Sequence, residues 1–114
     1  MVVMNAATSI ITTKSPYMTR VSLTLPQNCE PLGAWAYKNG VKKLYTIPGH
    51  DAEAAVQRAF KEAGGEILGS VRMPVASPDF SAFVQRAKDL APDGVFVFVP
   101  GRAQPQALAK AMLE

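Results

Sequence analysis

From residue 41 to the end of the chain, short apolar runs alternate with amphipathic stretches, and this alternation limits the fold more than any other feature. "VKKLYTI" (41–47) is β-prone. "PGHDAEAAVQRAFKEAGG" (48–65) then carries Ala52, Val56, Ala59, Phe60 and Ala63 at helical spacing and stops on a glycine pair. "EILGSVRMPV" (66–75) is the next strand. Ser77 or Asp79 can cap the helix after it, whose inward face carries Phe80, Phe83, Val84, Ala87 and Leu90. "GVFVFV" (94–99) is nearly all apolar, as a strand covered on both faces should be, and "QPQALAKAMLE" (104–114) opens a last helix. Strand and helix in regular succession build a parallel sheet, and right-handed crossovers lay the helices on both of its faces. The predicted fold class is α/β, a three-layer doubly wound parallel sheet.

The first 25 residues do not fit this rhythm. "VVM" (2–4) is a short β-prone piece that ends in the small, turn-forming residues of "NAATS". "YMTRVSLTL" (17–25) partly alternates and reads as extended. From Pro26 to Asn39, Leu32, Trp35 and Ala36 recur at helical spacing, with Trp35 expected in the core, before Asn39-Gly40 ends the segment.

Composition narrows the function classes. Hydrophobic residues make up 48% of the 114 and charged residues 18%, the balance of a globular chain rather than a disordered one. The net charge of +3 comes from 12 basic and 9 acidic residues scattered along the chain, without the basic stripe of a nucleic-acid binder. No apolar run approaches the roughly 18 residues of a membrane span, and "MVVMNAATS" lacks the basic flank of a secretory signal. The one cysteine, Cys29, has no internal partner and reads as a small, semi-buried side chain, as Lys42-Lys43 reads as solvated.

In an open parallel sheet, ligands sit beyond the carboxyl ends of the strands. That rule points to Pro48–Asp51, Met73–Asp79 and Pro100–Gln104, each ahead of a helix. His50, Asp51 and Glu53 lie close together, but acidic residues at a helix start are favoured by capping and by the helix dipole. His50 is the only histidine, which leaves a metal short of ligands. No G-x-S-x-G elbow, G-x-G-x-x-G loop or phosphate loop occurs, so neither a catalytic group nor a cofactor is expected. "NAATS" offers backbone N–H groups and the hydroxyls of Thr8 and Ser9, which suit a carboxylate or amino group; a plain Asn-Ser/Thr turn is the other reading.

Four stretches, "VVMNAATS", "SPYMTRVS", "AAVQRAFKEAGGEILGSVRMPVASPDFSAFVQRAKDLAPDGVFVFV" and the loop that follows, together resemble the branched-chain amino-acid (Leu/Ile/Val) type of extracellular solute-binding protein of ABC importers. The resemblance covers nearly the whole chain. Its most specific part is the Pro-Asp-Phe helix followed by Pro-Asp and an apolar strand.

The resemblance implies an incomplete type I periplasmic-binding-protein lobe: residues 1–22 as the last segment of a first lobe, and 23–114 as most of the second. It implies Ala6 and Thr8 as contacts to the ligand's polar head, and Arg102 and Ala103 as the nearest candidates on the covering loop. The expected ligand is an amino acid or a small aromatic or aliphatic carboxylate, and the expected partner is an ABC transporter permease. The expected location is the periplasm, with the signal peptide and most of lobe one ahead of Met1. Exposed apolar surface would then favour homo-oligomers. One departure stands out: "LYTIPGHDAE" passes directly from strand to Pro-Gly turn, so the family's ligand-facing tyrosine is missing and Tyr45 lies within the strand. Two other functions keep the same fold or residues: a ligand-sensing regulatory module, and a small enzyme using His50 and Asp51, which the missing nucleophile, metal and phosphate motifs disfavour.

Overall fold

The computed structural model describes residues 1–47, 50–71, 80–99 and 103–113, without the side chains of His50 and Ala103. Two parallel sheets account for the strands. β1 (Val2–Val3) pairs with β2 (Thr19–Arg20), and a single 3-10 turn, Ser9–Thr13, lies between them. Helix α1 (Leu25–Lys38) leads to β3 (Lys43–Ile47), α2 (His50–Glu62), β4 (Glu66–Ser70), α3 (Ser81–Leu90), β5 (Gly94–Val97) and α4 (Ala103–Leu113). The second sheet has the order β4-β3-β5, all parallel.

Strand β3 is therefore central, and its alternation sorts the core into two layers. Leu44 faces Cys29 of α1 and Ala52, Ala55, Val56 and Phe60 of α2. Tyr45 and Ile47 face the other way, onto Phe80, Val84 and Ala87 at α3 and Leu108 of α4. Phe96 and Phe98 follow Leu44, whereas Val95, Val97 and Val99 follow Tyr45. The expected three-layer, doubly wound sheet is what these residues form. α2 and α3 lie on opposite faces, as right-handed crossovers from β3 to β4 and then back to β5 on the other edge of β3 require. Helices α1 and α2 approach closely through Gly33, where a Cβ would lie 2.6 Å from the Val56 carbonyl oxygen. Cys29 is buried beside that contact, and burial pushes its thiol pKa up, as an inert core cysteine requires.

Several expectations need correction. The segment read as extended over 17–25 is a strand only at Thr19–Arg20, and Leu25 already belongs to α1. The reason is a capping box. The Thr24 hydroxyl accepts from the Gln27 N–H at 3.4 Å, and the Thr24 N–H donates to the Gln27 side-chain oxygen at 2.8 Å. Trp35 is 60% exposed, because the inner stripe of α1 runs through Cys29 and Gly33 and leaves Trp35 outside. Leu90 is also exposed, and Ala55 rather than Ala59 completes the buried stripe of α2. Strand β5 packs on both faces but remains half-buried, since among the described residues only β3 flanks it. The proposed caps Ser77 and Asp79 fall outside the described residues, and Phe80 occupies the cap position of α3.

At the amino ends of β3 and β5, Asp93 sets their relative register. Its Oδ2 accepts the Lys42 and Lys43 N–H groups at 2.9 and 2.8 Å, while its own N–H donates to the Lys43 carbonyl at 2.9 Å. These two amides, Lys42 first, hold the carboxyl pKa below the usual carboxylate range. A lowered native pKa means that this stabilisation is complete above the unfolded value of about 3.9 and is lost as pH falls through the native one. Asp93→Ala is expected to lower the melting temperature at pH 7, with the gap to the native chain narrowing below about pH 4. Melting curves across that range, with a gap that is constant or widens on acidification, would contradict this role.

Candidate functional site

The strand order β4-β3-β5 contains a reversal. The chain leaves β3 towards β4 and returns to β5 on the other edge, with α2 and α4 packed on opposite faces, an arrangement that in open α/β sheets puts the ligand crevice outside the carboxyl ends of the strands. Helix α2 starts at His50, just past Ile47, and α4 starts at Ala103, just past the apolar run that β5 begins. Of the predicted contacts, Ala103 is the first residue of α4, which follows the carboxyl end of β5, while Arg102 lies outside the described residues.

The turn at 6–9 reaches the same end of the sheet. Asp51, in the first turn of α2, accepts from Thr8 Oγ1 at 3.1 Å, from the Ser9 N–H at 2.8 Å and from Ser9 Oγ at 2.9 Å, all through Oδ2. Residues 42 and 43 positions apart in the chain are thereby joined at the tip of β3. From the other side, the Arg20 guanidinium forks onto the carbonyls of Ala6 and Thr8, and the Leu25 N–H donates to the Ala7 carbonyl at 2.8 Å. A planar fork of donors fits two carbonyls at once, which a lysine could not do. Ala6 and Thr8 are thus brought to the strand tips as a braced turn.

A second polar group braces α2 itself. Glu53 Oε1 accepts from Thr46 Oγ1 at 3.0 Å, from Gln57 Nε2 at 2.8 Å and from the Ser70 hydroxyl. Thr46 is fully buried, and Gln57 also donates to its hydroxyl at 2.8 Å. Asp51 and Glu53 were read as helix-start residues with a capping role. They do occupy the first turn, and their described bonds run to Thr8, Ser9, Thr46, Gln57 and Ser70. Glu53 ties α2 to β3 and β4, and Asp51 ties it to the 6–9 turn.

Sequence reasoning missed Arg20 and the pairing of Asp51 with Thr8 and Ser9. No local pattern could reveal either, since both depend on contacts between distant segments. Tyr45 is settled by burial: it is 1% exposed, faces α3 and α4, and so cannot replace a tyrosine at the strand tips. Among the described residues its hydroxyl has no hydrogen-bond partner, and burial pushes the phenol pKa up. A cavity of about 260 Å³ between α3, α4 and β5 is lined by Ile47, Val84, Ala87, Val95 and Met112 among others. It lies on the apolar flank, without Thr8 or Asp51, and lacks the convergent polar groups that orient a small ligand. No group of three or more His, Cys, Asp or Glu side chains that could hold a metal occurs among the described residues, and none of their helices is long and apolar enough to cross a membrane.

The family model for periplasmic binding proteins matches residues 1–112. The chain belongs to the periplasmic binding protein family. The Leu/Ile/Val-binding protein homolog 6 of Brucella suis is 46% identical over 119 residues, a match that takes in 100% of this chain and 30% of the relative. A solute-binding protein of an ABC transporter from R. palustris, solved in complex with 4-hydroxybenzoate, is 42% identical with a TM-score of 0.91, over 99% of this chain and 32% of that one. Another, from Rhodopseudomonas palustris BisB5 in complex with 3,4-dihydroxybenzoic acid, is 45% identical with a TM-score of 0.86, over 98% of this chain and 33% of that one. The chain thus spans about a third of the length of these relatives. Periplasmic binding proteins of ABC transporters are solute binders rather than enzymes, and the family implies a periplasmic setting.

Proposed function

We propose that this chain supplies one side, and one turn of the other side, of a clamp that holds a small carboxylate for an ABC importer. The observation that carries this reading is the meeting of the 6–9 turn with the first turn of α2 at the strand-order reversal, through Asp51. Residues 1–22 are assigned to the first lobe and 23–114 to the second. Ala6 and Thr8 contact the ligand's polar head, and Arg102 and Ala103 stand on the loop that covers it. An aromatic carboxylate is favoured over a branched-chain amino acid, because relatives above 40% identity were solved with 4-hydroxybenzoate and 3,4-dihydroxybenzoic acid.

The mechanism involves no bond making. The ligand touches both lobes only when they close, so binding stabilises the closed pair and shifts a hinge equilibrium that the permease senses. Taken alone, one segment of the first lobe (1–22) and most of the second (23–114) make only part of those contacts. Calorimetric titration of the 114-residue chain with 4-hydroxybenzoate is expected to give an affinity weaker than micromolar. A micromolar or tighter constant would show that the two-lobed clamp is not needed.

The large apolar side chains exposed on residues 1–22 are Met1, Val2, Met4, Ile10, Tyr17 and Val21. We place self-association of the isolated chain on this surface, since contiguous exposed apolar area favours burial against a partner. Light scattering should show mass rising with concentration. A monomer at all concentrations would count against it.

A further inference from the structure

Counting hydrogens at the 6–9 turn leads to a statement about ligand selection that rests on the placement of the site given above. An ionised carboxylate has no hydrogen to give, so both hydroxyls bonded to Asp51 must be donors. Each hydroxyl has one hydrogen. Thr8 Oγ1 therefore turns only lone pairs towards anything else that approaches it. The carbonyls of Ala6 and Thr8 are engaged by Arg20 and that of Ala7 by the Leu25 N–H. The Thr8 hydroxyl remains as an acceptor, and it lies within a turn where these three carbonyls face other partners.

We propose that Asp51 is a specificity-determining residue, which fixes the Thr8 hydroxyl as an acceptor by taking its proton. At Thr8 Oγ1 the site then favours a ligand group that brings a hydrogen-bond donor, a phenolic hydroxyl or an ammonium, over a carboxylate oxygen. A carboxylate placed against Thr8 Oγ1 would set lone pairs against lone pairs, unless the hydroxyl rotated and left a hydrogen bond to Asp51 unmade. Asp51 is itself held in place, because α2 is tied to β3 and β4 through Glu53. Its negative charge also opposes a second carboxylate at that spot.

The test uses two probes that differ by one donor, 4-hydroxybenzoate and benzoate, titrated into the 15N-labelled 114-residue chain. The amide shifts of residues 6–9 are followed at millimolar concentrations. The native chain should prefer 4-hydroxybenzoate by roughly five- to tenfold, the worth of one ordinary hydrogen bond. Asp51→Ala frees the Thr8 proton and should bring the ratio close to one. Asp51→Asn removes the charge but keeps an acceptor oxygen, so it should retain the preference while raising affinity for both probes. The Asn variant therefore separates proton placement from charge and from any loss of folding in the Ala variant. An equal ratio in all three proteins overturns the role of Asp51. Shifts at residues 6–9 with neither probe overturn the site placement itself and the inference with it.

Discussion

The burial of β3 on both faces is the constraint on which the rest of the structure depends. Leu44 and Thr46 project to one side and Tyr45 and Ile47 to the other, all four nearly inaccessible to water. Each apolar side chain of this size contributes about 1.5–3 kcal/mol when fully buried, so helices are required on both faces of the strand. Neighbouring strands are required on both edges, because a buried backbone must pair its N–H and C=O groups. Placing β4 and β5 on opposite edges of β3 then creates the reversal of direction that leaves a crevice at the strand tips. The candidate site thus follows from how a single five-residue strand is buried.

What occupies the rim of that crevice is decided by polar groups whose partners are distant in sequence. Asp51 shares the first turn of α2 with Glu53, which forms one connected group with Gln57, Thr46 and Ser70 and so fixes that turn on the sheet. Arg20 and Leu25 present the 6–9 turn from its other side. A half-buried network of this kind is stabilising only when each member is satisfied, so it specifies one arrangement rather than several. Asp93 has the corresponding role at the opposite end of the sheet, where one carboxylate oxygen holds two successive amides and aligns β3 with β5.

The elements after residue 41 were legible because their periodicity reflects burial. The stripe Ala52, Val56 and Phe60 and the inward positions Phe80, Val84 and Ala87 lie where the spacing put them. Trp35 was misread because three apolar residues at helical spacing suggest a core face, whereas α1 packs through the small surfaces of Cys29 and Gly33. Leu25 was misread as strand because alternation in "RVSLTL" masked the capping signal of Thr24 and Gln27. At the site, Thr8 could be singled out from its turn chemistry and from resemblance. Asp51 looked like an ordinary helix-start residue, and nothing in its neighbourhood announced a bond to a hydroxyl 43 positions away.

The central claim is that the 6–9 turn stands at the carboxyl tips of β3 and β5, and paramagnetic relaxation tests it directly. A nitroxide attached to a cysteine at position 6, in a Cys29→Ser background, reports on every amide within its reach. The account predicts strong broadening of the amides of Asp51, Ala52 and Glu53, with those of Lys42, Lys43 and Asp93 at the far end of the sheet left sharp. Broadening centred on the far end, or absent from α2, would contradict it.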